Sequence, residues 1–237
     1  MQPINPSANN GFHDKRLLAQ RNLWVAAIAA IIIWFVPGLN ILIWPVKIFV
    51  VIIHEGCHAM LTVLTGGGVE GISINPDGSG QTISLGGDPL FIIPAGYLGA
   101  TLFGAFTLLL SKRVQLAKSH MMLLGIIVML IVGFWIHPLN NPFGFFAGLS
   151  IGVALELLAR FLPPVPASYL LSFLSIELCL NALEGVWTLV TITENTNIPN
   201  DAVFMSQNYG LQPAFWAISW ALISIAILWL AVRKYRS

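Results

Sequence analysis

The sequence predicts an all-α polytopic membrane protein: about seven transmembrane helices, with a small β-hairpin or sheet inserted after the second. Three observations predict it. First, 57% of the residues are hydrophobic and only 9% are charged, against roughly 25% charged in soluble domains. Second, apolar runs near the ~20 residues that cross a bilayer recur along the whole chain. Third, one connection between such runs is long, rich in glycine and populated by strand-forming residues.

Residues 1–21 are polar and mixed. They lack the basic start, apolar stretch and small-residue cleavage site of a secretory signal, so the first apolar run is expected to stay in the mature chain. That run covers about 22–36 and stops at Pro37-Gly38. The second, about 41–65, stops at Gly66-Gly67-Gly68. The third covers about 90–111, the fourth about 120–136 with His137-Pro138 behind it, and the fifth about 142–162 up to Pro163-Pro164. The sixth covers about 167–192 and the seventh about 211–232, followed by Arg233, Lys234 and Arg236. With short loops and no internal repeat, residues 22–237 read as one integral-membrane domain.

The exceptional connection is 66–89, G-G-G-V-E-G-I-S-I-N-P-D-G-S-G-Q-T-I-S-L-G-G-D-P. Val69, Ile72, Ile74, Thr82 and Ile83 favour strands, and Asn75-Pro76-Asp77-Gly78 is a turn signal between them. A bare hairpin is marginal in water, so this one is expected to lean on the bundle. Lys and Arg collect in cytoplasmic loops. Counting spans puts Lys112, Arg113, Lys118, Arg160, Arg233, Lys234 and Arg236 on one side, with Lys15, Arg16 and Arg21 on the other, so charge leaves the orientation open.

Net charge is +1, which gives no electrostatic case for nucleic acid. Cys57 and Cys179 lie in apolar runs and read as small core residues rather than a disulfide framework. Glu156 and Arg160, four apart, are expected to pair.

The second span carries V-I-I-H-E-G-C-H-A-M. His54 and His58 are four residues apart and project from one helix face, where their imidazoles can converge on one ion. Glu55 sits beside them as a candidate general base, the H-E-x-x-H pattern of zinc hydrolases. Zinc lowers the pKa of its water to about 7. An unpaired charge at mid-membrane costs roughly 2.5–3.5 kcal/mol on insertion scales, so the cluster needs an offsetting partner. A catalytic zinc has three protein ligands and one open position, so a third ligand is needed from another helix. On the sixth span Glu177, Asn181 and Glu184 form one polar stripe. Glu184 is the favoured ligand and Glu177 the second choice; Asn181 is placed to orient a ligand or bind substrate. Asp201 is a further candidate if its loop folds back, although an Asp there also reads as the N-cap of a short helix after residue 200.

With these residues in hand, the chain resembles the site-2-protease-like intramembrane zinc metalloproteases, within them the M50B-like branch. The resemblance rests on His54-Glu55-Gly56-Cys57-His58 in a span, the hairpin-like segment behind it, and Pro94-Ala95-Gly96-Tyr97-Leu98-Gly99 opening the next. Leu183-Glu184-Gly185 stands where the family has Leu-Asp-Gly, with Glu for Asp, and Asn200-Asp201-Ala202 is similar to a downstream S-D-A element. The resemblance implies a zinc-dependent endopeptidase of the cell membrane acting on membrane-protein or peptide substrates. The hairpin would hold substrate as an added strand, with Ile72, Ile74 and Asn181 as candidate contacts. Gly96, Gly99 and Gly104 are expected to pack against a helix of the same chain. Two other classes remain open on the residues alone. One is a non-catalytic zinc-binding regulator. The other is a cation transporter threaded through His54, Glu55, His58, Glu177 and Glu184.

Overall fold

The computed structural model describes residues 17, 20–21, 23–30, 32, 40–192 and 200–236; the side chains of 40–42, 184 and 186–192 lie outside that description. The described elements are α1 (Asn40–Leu64), β1 (Gly68–Ile74), β2 (Gly80–Leu85), α2 (Pro89–Ser111), α3 (Ala117–Trp135), α4 (Pro142–Phe161), α5 (Pro164–Ile192), α6 (Asp201–Tyr209) and α7 (Pro213–Arg236). A 3₁₀ turn, Val114–Leu116, leads into α3. Six of these helices are long and apolar enough to cross a membrane. The chain is an integral membrane protein. Its expected first span falls partly outside the described residues. Within it 23–30 are helical, and Leu23, Ala26 and Ala30 turn one face into the core.

Local chemistry starts the helices where the structure has them. Pro89, Pro142, Pro164 and Pro213 each occupy the first helical position, where a missing N–H costs nothing. Asp88 caps α2 by accepting from Leu90 N (3.0 Å), and Asn141 caps α4 by accepting from Gly144 N (2.7 Å). Helices then meet at small residues. A side chain at Gly104 would strike Ser175 O and Leu178 of α5; one at Gly99 would strike Cys57 of α1. The third-span glycines therefore pack within the chain, as expected. Buried hydroxyls close the remaining seams: Thr101 Oγ1 donates to Ser224 Oγ (2.9 Å), and Ser168 Oγ to Ser111 O (2.8 Å).

The hairpin is antiparallel, with Ile72 opposite Thr82, Ile74 opposite Gly80, and a bulge between Val69 and Gly71. Its turn uses Gly78 at φ +82°, and Asp77 accepts from both the N–H and hydroxyl of Ser79. It leans on the bundle along its length. Trp44 Nε1 donates to Pro76 O (2.8 Å), Lys47 Nζ to Asp77 O (3.3 Å), Thr82 Oγ1 to Glu55 Oε2 (2.7 Å), and Thr62 Oγ1 pairs with Ser84 Oγ (2.6 Å). From its turn through β2, the hairpin thus runs beside about 27 Å of α1 in the same direction. The outer edge of β1 is closed at Ile74, whose N–H and C=O both bond the Asn141 amide (3.3 and 3.0 Å).

Two expectations need correction. Glu156 and Arg160 do not pair. The carboxyl Oε1 of Glu156 is buried toward Gly125 of α3, while the backbone oxygen of Arg160 takes the ammonium of Lys118 (3.0 Å). And Arg21 is not set across the bundle from the basic residues of α7. Gln20 Nε2 reaches Arg236 O (3.5 Å), and the Arg236 guanidinium lies over the Trp24 ring. Tertiary packing, which span counting does not see, brings that end of the first helix beside the end of α7.

Candidate metal centre and cleft

The helical repeat alone puts His54 and His58 together. In the fold they are 8% and 6% exposed, with their Nε2 atoms 3.1 Å apart. His58 Nδ1 lies 2.7 Å from the backbone oxygen of Ile92 on α2. That carbonyl can only accept, so the ring proton sits on Nδ1 and the Nε2 lone pair faces His54. His54 Nδ1 lies 3.4 Å from the Asn181 amide of α5. The amide atom that faces the ring is the nitrogen, Nδ2; turned over, the amide would offer its oxygen to a ring protonated on Nδ1.

Asp201 supplies the third atom. Its Oδ2 lies 3.2 Å from His54 Nε2 and 3.3 Å from His58 Nε2. The capping role expected for it belongs instead to Asn200, whose side chain accepts from Val203 N (3.0 Å). With the cap placed one residue earlier, the Asp201 carboxylate at the first helical position is turned to the histidines. α6 is held there by a small core of its own, Ala202, Met205, Ala217 and Trp220, against Tyr97 of α2. Glu177 is buried on α5 but stands outside the group of atoms that could share an ion. The side chain of Glu184 lies outside the described residues; its helix neighbours Asn181 and Gly185 both line the cleft.

The three atoms form a nearly equilateral triangle. Zinc bonds of about 2.0–2.1 Å at tetrahedral angles place ligand atoms about 3.3–3.4 Å apart, so the triangle matches one face of such a site. Its chemistry agrees. Three acceptor atoms converging in a buried place repel one another unless positive charge sits between them. A proton on an imidazole serves part of that need. Burial pushes the Asp201 carboxyl up, yet the attraction of His58 and His54 outweighs it and holds the carboxyl well below the usual carboxylate range. A divalent cation would serve all three atoms at once. Gly96 of α2 makes the space: a methyl there would overlap both Nε2 atoms. His54, His58 and Asp201 could therefore hold a metal ion.

Beyond this triangle a cleft of about 870 Å³ extends between α1, β2, α5 and α6, with Lys47 and Trp220 among its lining residues. Tyr97 stands edge-on to His54 (ring centroids 4.6 Å) and stacks on Trp220 (5.7 Å), which walls one side. Glu55, 5% exposed, lies on another side. Gly80, Gln81, Thr82 and Ser84 of β2 line the cleft as well. Ile72 and Ile74 do not. They are 3% and 0% exposed and belong to the hydrophobic core, so they are not the substrate contacts expected of them. Ile72 and Ile74 lie opposite Thr82 and Gly80 and so share their sheet face, but on β1 that face is covered by the core, and it is β2 that borders the cleft. Two further cleft residues escaped the sequence reading in these roles. Gly96 looked like a helix-packing glycine, and Thr82 like an ordinary strand former. Neither composition nor spacing separates those roles.

A family model described as Peptidase M50B-like matches residues 24–231. No curated protein and no solved structure matches the chain.

Proposed function

Because the chain belongs to the Peptidase M50B-like family, we propose that it is a zinc-dependent endopeptidase that hydrolyses a peptide bond within or near the membrane. The observation that carries this reading is the convergence of His54 Nε2, His58 Nε2 and Asp201 Oδ2 beside a carboxylate in a cleft. His54, His58 and Asp201 would hold the metal. Bound there, zinc supplies Lewis-acid polarisation of the reacting carbonyl and of water at neutral pH.

The chain's own groups do the rest. Glu55 takes a proton from the attacking water and returns it to the leaving amine. Its Oε2 accepts from Thr82, so Oε1 is the oxygen left for that exchange. Ile92 O and the Asn181 amide keep the two imidazoles turned to the ion. A substrate helix hides its amides in its own hydrogen bonds and must be extended before attack. β2 has β1 on one side, and among the described residues no strand pairs with its other edge. An extended substrate segment can add there and run past Glu55.

Glu55→Gln tests the reading. The amide keeps the shape of the carboxylate but cannot take the proton. Cleavage of membrane-spanning peptides by the purified protein should fall by about 10²–10⁴-fold, with zinc content unchanged by elemental analysis. Wild-type rates in that variant would refute Glu55 as the base, whereas a wild-type protein that holds zinc and cuts nothing would leave a metal-binding membrane regulator as the better description.

A further inference from the structure

The β-hairpin does more than border the cleft: we propose that Thr82 is a positioning residue that latches the catalytic carboxylate of Glu55 to β2. The inference rests on the proteolytic reading and deepens it. Thr82 Oγ1 lies 2.7 Å from Glu55 Oε2 and 3.0 Å from the backbone oxygen of the same residue. Both partners are acceptors when Glu55 is ionised, so the hydroxyl donates, and the shorter contact takes its proton. Such a bond fixes where the carboxylate points. The strand contributes a second restraint of a different kind. A side chain at Gly80 would come within 2.7 Å of Glu55 Oε1 and 2.8 Å of its Cγ. One carboxyl oxygen is tied to Thr82 while the other faces the gap that Gly80 leaves.

The register makes these restraints one device. Gly80 and Thr82 are two apart on β2, hence on the same face, and that face lies on α1 at Glu55. Thr62 and Ser84 continue the same contact (2.6 Å), and Trp44 with Pro76 anchors the turn (2.8 Å). A hairpin held at both ends has little freedom to move Thr82 away. A substrate strand added to β2 would therefore meet a base already oriented.

The test compares Thr82→Val, which keeps the shape and removes the donor, with Thr82→Ser, which keeps the donor. With a membrane-spanning peptide substrate, Thr82→Val should lower kcat about 10–100-fold, the usual cost of losing an orienting partner. KM and zinc content should stay near wild type, and Thr82→Ser should restore most of kcat. Gly80→Ala, which disturbs the same carboxylate sterically, should lower kcat as well. A wild-type kcat in Thr82→Val, or equal losses in the Val and Ser variants, overturns the latch while leaving proteolysis standing. A wild-type protein that cuts nothing removes the proteolytic reading, and the latch with it.

A separate observation, the distribution of charge, fixes a direction. We infer that the cleft opens on the non-cytoplasmic side of the membrane. Lys112, Arg113, Lys118 and Arg160 sit where α2 passes to α3 and α4 to α5, and Arg233, Lys234 and Arg236 end α7. Contacts join these ends: Lys118 to Arg160 O, Ser168 to Ser111 O, and Tyr235 to Ser111 and Ser172. Arg21 adjoins them through Gln20 and Trp24. Among the described residues, Lys47 is the only Lys or Arg away from this end. The metal triangle is far from it. Measured along the helices, Gly96, Asn181 and Trp220 stand about 22–26 Å from the basic end, while Gly96 and Trp220 are only about 10 Å from the other ends of α2 and α7. Lys and Arg mark the cytoplasmic side, so the proposed activity would act on the outer half of a substrate span.

Two cysteine variants read this without any activity. Leu139, between α3 and α4, and Gln115, between α2 and α3, are both exposed. With Cys57 and Cys179 replaced, Leu139→Cys should react with a membrane-impermeant maleimide in intact cells, and Gln115→Cys only after permeabilisation. The reverse pattern, or no difference between the two, overturns the direction.

Discussion

Asp201→Ala is expected to strip the protein of its zinc. The carboxylate is one corner of a triangle whose other corners are imidazole nitrogens 3.2 and 3.3 Å away. Loss of a mere orienting partner weakens metal binding by about 10–100-fold, so loss of a ligand should exceed that range. Dialysed protein should then hold almost no zinc by elemental analysis, and cleavage should vanish with it. The fold should survive, because α6 is kept in place by Ala202 and Met205 packed on Ala217 and Trp220, and its cap is Asn200. Helix content by circular dichroism and elution as a single detergent-solubilised peak check that. Glu177→Ala and Glu184→Ala are the comparison. Full zinc in Asp201→Ala together with loss of zinc in Glu184→Ala would transfer the third position to α5.

Gly96→Ala is expected to do the same without touching a ligand. In an ordinary helix interior this exchange favours the helix by up to about 1 kcal/mol, because alanine has less backbone freedom to lose. At Gly96 the added methyl would overlap both histidine Nε2 atoms, in the space an ion needs. The imidazoles cannot simply withdraw, since His58 is tied to Ile92 O and His54 is wedged between Asn181 and Tyr97. Zinc content should fall to near zero while helix content is unchanged. Gly133→Ala is the matched control: Gly133 is also helical, and nothing lies within 4 Å of its would-be Cβ. Zinc retained at wild-type level in Gly96→Ala would show that the ion sits elsewhere.

Much of this was open to a reader of the sequence because it is local. The pairing of His54 with His58 follows from 3.6 residues per turn. The hairpin follows from Asn75-Pro76-Asp77-Gly78 between β-branched runs, and its need for support from the weakness of two strands alone. Third-ligand candidates were harder. Glu177, Asn181 and Glu184 stood out because a polar stripe on an apolar helix is visible in one dimension. Asp201 read as a cap because a lone Asp before a helix is indistinguishable, in sequence, from one whose neighbour does the capping. Ile72 and Ile74 went wrong for a related reason: alternation shows which side chains share a face but not which of the two strands borders the cleft.

The sequence by itself determined that the chain lives in lipid, that a helix carries two imidazoles and a carboxylate one turn apart, and that a small hairpin follows. Each of these depends on covalent spacing and on the transfer of apolar surface out of water, which act within a few residues. Only the tertiary structure decided that Asp201 rather than Glu177 approaches the imidazoles, that Gly96 leaves the room between them, and that Thr82 meets Glu55. Those are contacts between residues 27 to 147 positions apart. Helix packing and strand register set them, and no local preference of either partner encodes them.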